Sequence, residues 1–299
     1  MKIVYFDWNI YIHYRDWKLK GNQSLSRYKI LEELKNSRRV TTYYSDAHIL
    51  DLMSANNDPS FLNLDLEAIT LLTDNVCAVS AHCGEFKLYC TPEYMYNNVK
   101  KDFSKKQTPE AIRKGDSYID VSLQPYLGAL ADQTRNNLGP ELGDEKLNAI
   151  LEQMFQDHYE ITEDPKVFRA KRAEQLKKLK TNPKIGKQLS GSEEEKLKVA
   201  FTLIPHLFKK MPQCTQNKCD RCLCIFLLLD RLGLWADSKY KNLRVDSLHA
   251  FYASHPGTDL FVTKDRNLIK KATIAYQVLG INQRIATFDE FEKEFGDNG

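Results

Sequence analysis

Four aspartates stand where acids are poor solubility residues. Asp7 closes the apolar run Ile3-Val4-Tyr5-Phe6, and Asp51 lies inside an early helix pattern. Asp246 and Asp265 follow nearly two hundred residues later, in the run VDSLHAFYASHPGTDLFVTKDRNL. Carboxylates sharing one cleft repel each other and raise one another's pKa, so a hard cation is the natural counter-charge. Mg²⁺ or Mn²⁺ takes such oxygen ligands. With a phosphodiester present, the ion could orient water and stabilise the leaving oxygen, and two ions could divide that work.

These acids converge only if the fold brings distant segments together. Ile3–Phe6 reads as a buried strand, Leu25–Lys35 as a helix, and Val40–Tyr44 as a second strand. Ser45 is placed to cap a helix carrying Ile49, Leu50, Leu52 and Met53. Another helix is expected over Leu64–Leu72, then Val76–Val79 as a strand. Cys77–Tyr89 reads as a strand pair turning near His82–Gly84. The alternation predicts an α/β fold with a parallel central sheet. Residues 90–235 read as largely helical, and 90–241 as an insertion or lid between 1–89 and 242–299. The strand rhythm then returns: helix from Asp246, strand Leu260–Thr263, helix Asn267–Val278, strand Arg284–Ala286 and an acidic terminal helix. In a parallel sheet the carboxyl edge is the usual place for chemistry. Asp7 and Asp265 are expected there, with Asp51 and Asp246 reaching toward it from helices.

Chain length permits a substantial core in one or two domains. A formal net charge of +3 is too small to imply nucleic acid by itself. The longest apolar run, Leu223–Leu229, is too short to span a bilayer, and no signal peptide is visible, so no membrane partner is expected. Seven cysteines leave at least one unpaired, which favours reduced thiols and a cytoplasmic location.

The segments IVYFDWNIYI, YYSDAHILDL, DSLHAFYA, TDLFVTKDRNL and RIATFDEF, in that order, resemble the PIN-domain nucleases. The resemblance covers about the first 80 and last 60 residues. Asp51 stands where glutamate is commoner, and the long insertion is unlike the small PIN toxins. The resemblance implies a three-layer α/β/α fold and divalent-metal-dependent endonucleolytic cleavage of RNA, with structured DNA as a second substrate class. It places Asp7, Asp51, Asp246 and Asp265 on the acidic positions. Asp259, which starts a strand rather than following it, is a weaker metal candidate.

Asn9 and Thr263 are expected to hydrogen-bond a carboxylate, water or phosphate. His48 and His249 read as packing residues, as do most of Tyr5, Trp8, Tyr11 and Tyr14, with base stacking as the alternative. Lys264 and Arg266 flank Asp265 and could reach phosphate. The segment 166–187 carries nine Lys or Arg and only one acid, Glu174. As a helix it would present Arg169, Arg172, Lys177 and Lys180 to a nucleic-acid backbone. Cys214, Cys219, Cys222 and Cys224 offer a structural Zn²⁺ site, although only the Cys219–Cys222 spacing is typical. Packed thiols are the competing reading.

Two other functions fit the residues. An aspartyl-phosphate phosphatase could use Asp7, but its second acid would be expected at Asn9. A catalytically inactive RNA-binding or assembly module could retain a PIN-like core. The insertion also leaves room for a homo-oligomer interface.

Overall fold

Strand β1 (Lys2–Phe6) lies between two parallel neighbours: β2 (Val40–Thr42) on one side and β6 (Leu260–Val262) on the other. Its aromatic and β-branched side chains become fully buried toward its carboxyl end, the pattern of a parallel strand covered on both faces. The computed structural model describes residues 1–54, 59–81, 84–103, 164–180, 189–209 and 218–296.

The chain divides into two compact units, Met1–Lys101 with Leu248–Gly299, and Asp102–Ser247. The first is α/β. Its four-stranded sheet has the order β2-β1-β6-β7, all parallel, with β7 at Arg284–Ala286. A second sheet has the order β3-β4-β5, from Tyr44–Ser45, Val76–Ala81 and Gly84–Tyr89. There β3 and β4 are parallel, while β4 and β5 are antiparallel, as expected for the Cys77–Tyr89 strand pair. The expected single strand Val40–Tyr44 is instead split between the sheets at Tyr43. That buried side chain donates its hydroxyl to the Tyr252 carbonyl at 2.7 Å.

Helix α1 (Trp8–Lys18) follows β1 directly and was not evident from hydrophobic spacing. Its sequence, WNIYIHYRDWK, is rich in aromatic and β-branched residues, which rank below Ala and Leu as helix formers. The helix is fixed by tertiary burial of Ile10, Tyr11 and Tyr14, and by its cap. A 3₁₀ helix (Gln23–Tyr28) and α2 (Lys29–Asn36) lead to β2. Helices α3 (Asp46–Ser54), α4 (Pro59–Thr73) and α5 (Pro92–Phe103) follow. Later, α10 (Arg266–Leu279) ends at Gly280, whose φ of +66° supplies the left-handed residue that stops the helix. Helix α11 (Phe288–Gly296) packs Phe291 edge-on against Phe6 of β1. Burial of Tyr5, Tyr11, Tyr14, Phe6 and Phe261 contributes roughly 1.5–3 kcal/mol per side chain before entropy is counted.

The main elements described in the second unit are helices: α6 (Pro165–Lys180), α7 (Glu193–Lys209), α8 (Lys218–Arg231) and the start of α9 (Tyr240–Ala253). Their apolar residues, including Phe168, Ile204, Ile225, Phe226 and Leu229, form that unit's own core. No helix among the described residues is long and apolar enough to cross a membrane.

Candidate metal centre

The strand order reverses at β1, whose chain continuation leads to β2 on one side while β6 and β7 lie on the other. Parallel α/β sheets open a crevice at such a point, beyond the carboxyl ends of the strands. Asp7 emerges there. Its N–H donates to the Val262 carbonyl at 2.9 Å, holding it against β6 as it leaves β1. Its extended backbone makes it the N-cap of α1, and its Oδ1 accepts from the Trp8 N–H at 2.7 Å. The second oxygen, Oδ2, accepts from the Thr263 hydroxyl at 2.7 Å and from the Asn9 side-chain amide. Both residues expected to support a carboxylate therefore touch this one.

Asp51, on α3, is the second acid at the edge. A third donor comes from His249 on α9. Its Nε2 lies 2.8 Å from Asp51 Oδ2 and 3.7 Å from Asp7 Oδ1. One donor atom from each of Asp7, Asp51 and His249 falls within 4.8 Å of the others. His249 and Asp7 side chains are 1% and 8% exposed, against 27% for Asp51, so the crevice opens on the Asp51 side.

Burial pushes the Asp7 carboxyl above its ordinary range. His249 opposes that rise, Asp51 reinforces it, and the Thr263 and Trp8 hydrogen bonds oppose it. Two carboxylates and an imidazole in a nearly dry crevice suit a divalent cation, which offsets both the desolvation and the repulsion. The donor set fits a divalent ion.

His249 departs from the packing role expected of it. It packs, but its ring also carries the polar edge of the centre. The sequence contained one usable signal: His249 follows Asp246 by three residues, a spacing that puts both on one side of a helix. His48 is a structural residue, as expected. Its Nδ1 accepts from the Ser45 N–H at 3.1 Å, so its Nε2–H donates to the Phe6 carbonyl at 2.8 Å. Burial, reinforced by His249, holds His48 well below the usual histidine pKa and therefore neutral.

The remaining candidates are distributed differently. Asp246 lies on α9 in the second unit. Asp265 caps α10, its Oδ1 accepting from the Asn267 and Leu268 N–H groups at 2.7 and 3.1 Å. Its own N–H donates to the Thr263 hydroxyl at 3.0 Å, so Thr263 links Asp265 to Asp7. Asp259 does not reach this edge. It pairs with Lys2 and accepts from the Ile3 N–H at the opposite end of β1, about 13 Å away along the strand. Those two partners, the Ile3 N–H first, hold its carboxyl below the ordinary range.

Lys264 donates to the His13 Nε2 at 3.1 Å, and its backbone N–H reaches the Asn9 side-chain carbonyl at 3.4 Å. Arg266 is exposed at the start of α10. In the second unit, the expectation of a phosphate partner for Arg172 needs correction. Its guanidinium is turned inward to Asp230 at 2.8 Å and to the Asp237 carbonyl at 2.5 Å. Burial raises the Asp230 carboxyl, and Arg172 counters that rise. Arg169 and Lys177 remain exposed on α6, while the Lys180 side chain lies outside the described residues.

Cys214 also lies outside the described residues. Cys222 and Cys224 are buried on α8, and Cys219 is half-buried. The burial of Cys222 and Cys224 fits the packed-thiol reading. Tyr5, Trp8, Tyr11 and Tyr14 are likewise buried in the first unit, as packing requires, rather than presented for base stacking. Comparison of the chain with protein-family models, characterised proteins and solved structures gives no match.

Proposed function

We propose that the protein is a divalent-metal-dependent endoribonuclease with a PIN-like, three-layer α/β/α core. The observation that carries this reading is the convergence of Asp7, Asp51 and His249 at the carboxyl edge of the parallel sheet, where its strand order reverses. Asp7 would hold the ion from the dry side, its free rotation removed by Trp8, Asn9 and Thr263. Asp51 would hold it from the open side and offer a carboxylate oxygen to the proton leaving the attacking water. The ion, Mg²⁺ or Mn²⁺, supplies charge neutralisation and Lewis acidity at the scissile phosphate. Asp246 stays in the proposal on its sequence position alone.

Lys264, beside Thr263, and the exposed Arg169 and Lys177 supply cationic groups suited to backbone phosphates. Incubation of the purified protein with end-labelled single-stranded, double-stranded and structured RNA, and with structured DNA, tests the reading. Mn²⁺- or Mg²⁺-dependent cleavage, abolished by EDTA and by separate Asp7→Asn and Asp51→Asn changes, is expected. Binding without cleavage across that panel would instead establish the second reading, an inactive RNA-binding module.

A further inference from the structure

The polar groups behind His249 continue away from the crevice. Its Nδ1 lies 2.9 Å from the Tyr5 hydroxyl. Tyr5 is 2.8 Å from the Ser45 hydroxyl, which is 3.3 Å from His48 Nδ1. His48 is in turn anchored through Nε2 to the Phe6 carbonyl. Tyr5, Ser45, His48 and His249 are at most 1% exposed. A buried run of this length is costly unless every member is satisfied. Packing alone would be met by apolar side chains of similar size.

We infer that this run positions His249 Nε2 as a direct nitrogen ligand, and that the centre therefore selects Mn²⁺ over Mg²⁺. The inference rests on the metal-dependent reading above and names the ion that reading leaves open. With the ring neutral, Asp51 accepts from Nε2–H and Nδ1 accepts from the Tyr5 hydroxyl. To ligate an ion, Nε2 must give up that proton, and the neutral ring then carries it on Nδ1. Nδ1–H donates to Tyr5, Tyr5 turns to donate to Ser45, and the Ser45 hydroxyl turns toward His48 Nδ1, whose lone pair it shares with the Ser45 N–H. Each hydroxyl keeps one proton, the ring keeps one, and His48 retains its bond to Phe6.

The run can thus serve both tautomers without leaving a buried polar atom unpaired. Ligating histidines commonly donate their second nitrogen in this way, which fixes the ring and raises its basicity. The two carboxylates alone would favour oxygen-seeking Mg²⁺, which demands near-ideal octahedral geometry and gives up water reluctantly. Adding an imidazole shifts the donor set toward first-row transition ions, among which Mn²⁺ is the one most at home with carboxylates.

Electron-spin-echo measurements on the full chain loaded with Mn²⁺ test the ligand directly, with calorimetric titration of Mn²⁺ and Mg²⁺ alongside. A nitrogen coupling is expected in the wild-type spectrum and is expected to vanish in His249→Gln. Mn²⁺ affinity should exceed that for Mg²⁺ by about tenfold or more, and Tyr5→Phe should lower it by about 10–100-fold. Should either variant fold poorly, the wild-type spectrum still decides. Asp7-dependent Mn²⁺ binding without nitrogen coupling would overturn the inference while leaving the metal-dependent reading intact. Absence of any bound divalent ion would overturn both.

Discussion

Thr263 donates its hydroxyl to Asp7 across 256 residues of chain, at 2.7 Å, and accepts the N–H of Asp265 through the same oxygen. One buried side chain thereby ties the end of β1 to the end of β6 and to the cap of α10. The Asp7 carboxylate is oriented by partners from both ends of the sequence.

Replacing Thr263 with Val keeps the shape and removes both bonds. It deprives Asp7 of a donor and the Asp265 N–H of its acceptor. A destabilisation of about 1–3 kcal/mol is expected in urea unfolding. If the proposed function holds, cleavage should fall as well, because Asp7 is then free to turn.

Metal binding to the native state should raise stability by mass action. At Mn²⁺ a hundredfold above its dissociation constant, the gain is about 2.7 kcal/mol, visible as a higher Tm. Asp7→Asn should abolish the gain. An equal Tm shift in that variant would place the bound ion elsewhere.

His48 makes stability fall in mild acid. Its folded pKa lies well below the ordinary 6.5, so below pH 6.5 the unfolded chain binds a proton that the native protein does not. The unfolded state is then favoured, and stability is lost as pH falls from 6.5 toward the folded pKa. The slope approaches about 1.4 kcal/mol per pH unit for this one group. Denaturant unfolding of wild type and His48→Gln between pH 5 and 7.5 isolates it, since the variant should lose this component.

The basic helix α6 should separate into two behaviours. Arg172→Met strands Asp230 in the second unit's interior and should cost about 3–5 kcal/mol. Arg169→Glu with Lys177→Glu touches exposed positions and should leave unfolding nearly unchanged. RNA affinity in the double variant should drop, and its salt dependence should flatten by about 0.7 in log–log slope for each phosphate no longer neutralised. Filter binding over a salt series measures both.

The parallel sheet was legible because Ile3–Phe6, Leu260–Val262 and Arg284–Ala286 are short apolar runs next to recognisable helices. Helix α1 was not, since its aromatic residues carry a weak helical period and the helix is held by burial. Asp7 and Asp51 could be proposed as partners from their element-end and helical positions. His249 was signalled only by its three-residue spacing from Asp246, and that spacing alone does not distinguish a packed histidine from one facing a carboxylate. Tyr5 is the same case: strand alternation marks it as core, and only the three-dimensional meeting of β1, α3 and α9 reveals its hydroxyl's partners. Arg172 misled for a related reason. Charge density along a helix does not say which cation is needed inside.

β1 needs β6 to cover its second edge, and β6 lies some 250 residues downstream. During synthesis, residues 1–101 leave the ribosome long before His249 and Thr263 exist. The crevice therefore cannot assemble until β6 and the Thr263 that follows it have been synthesised.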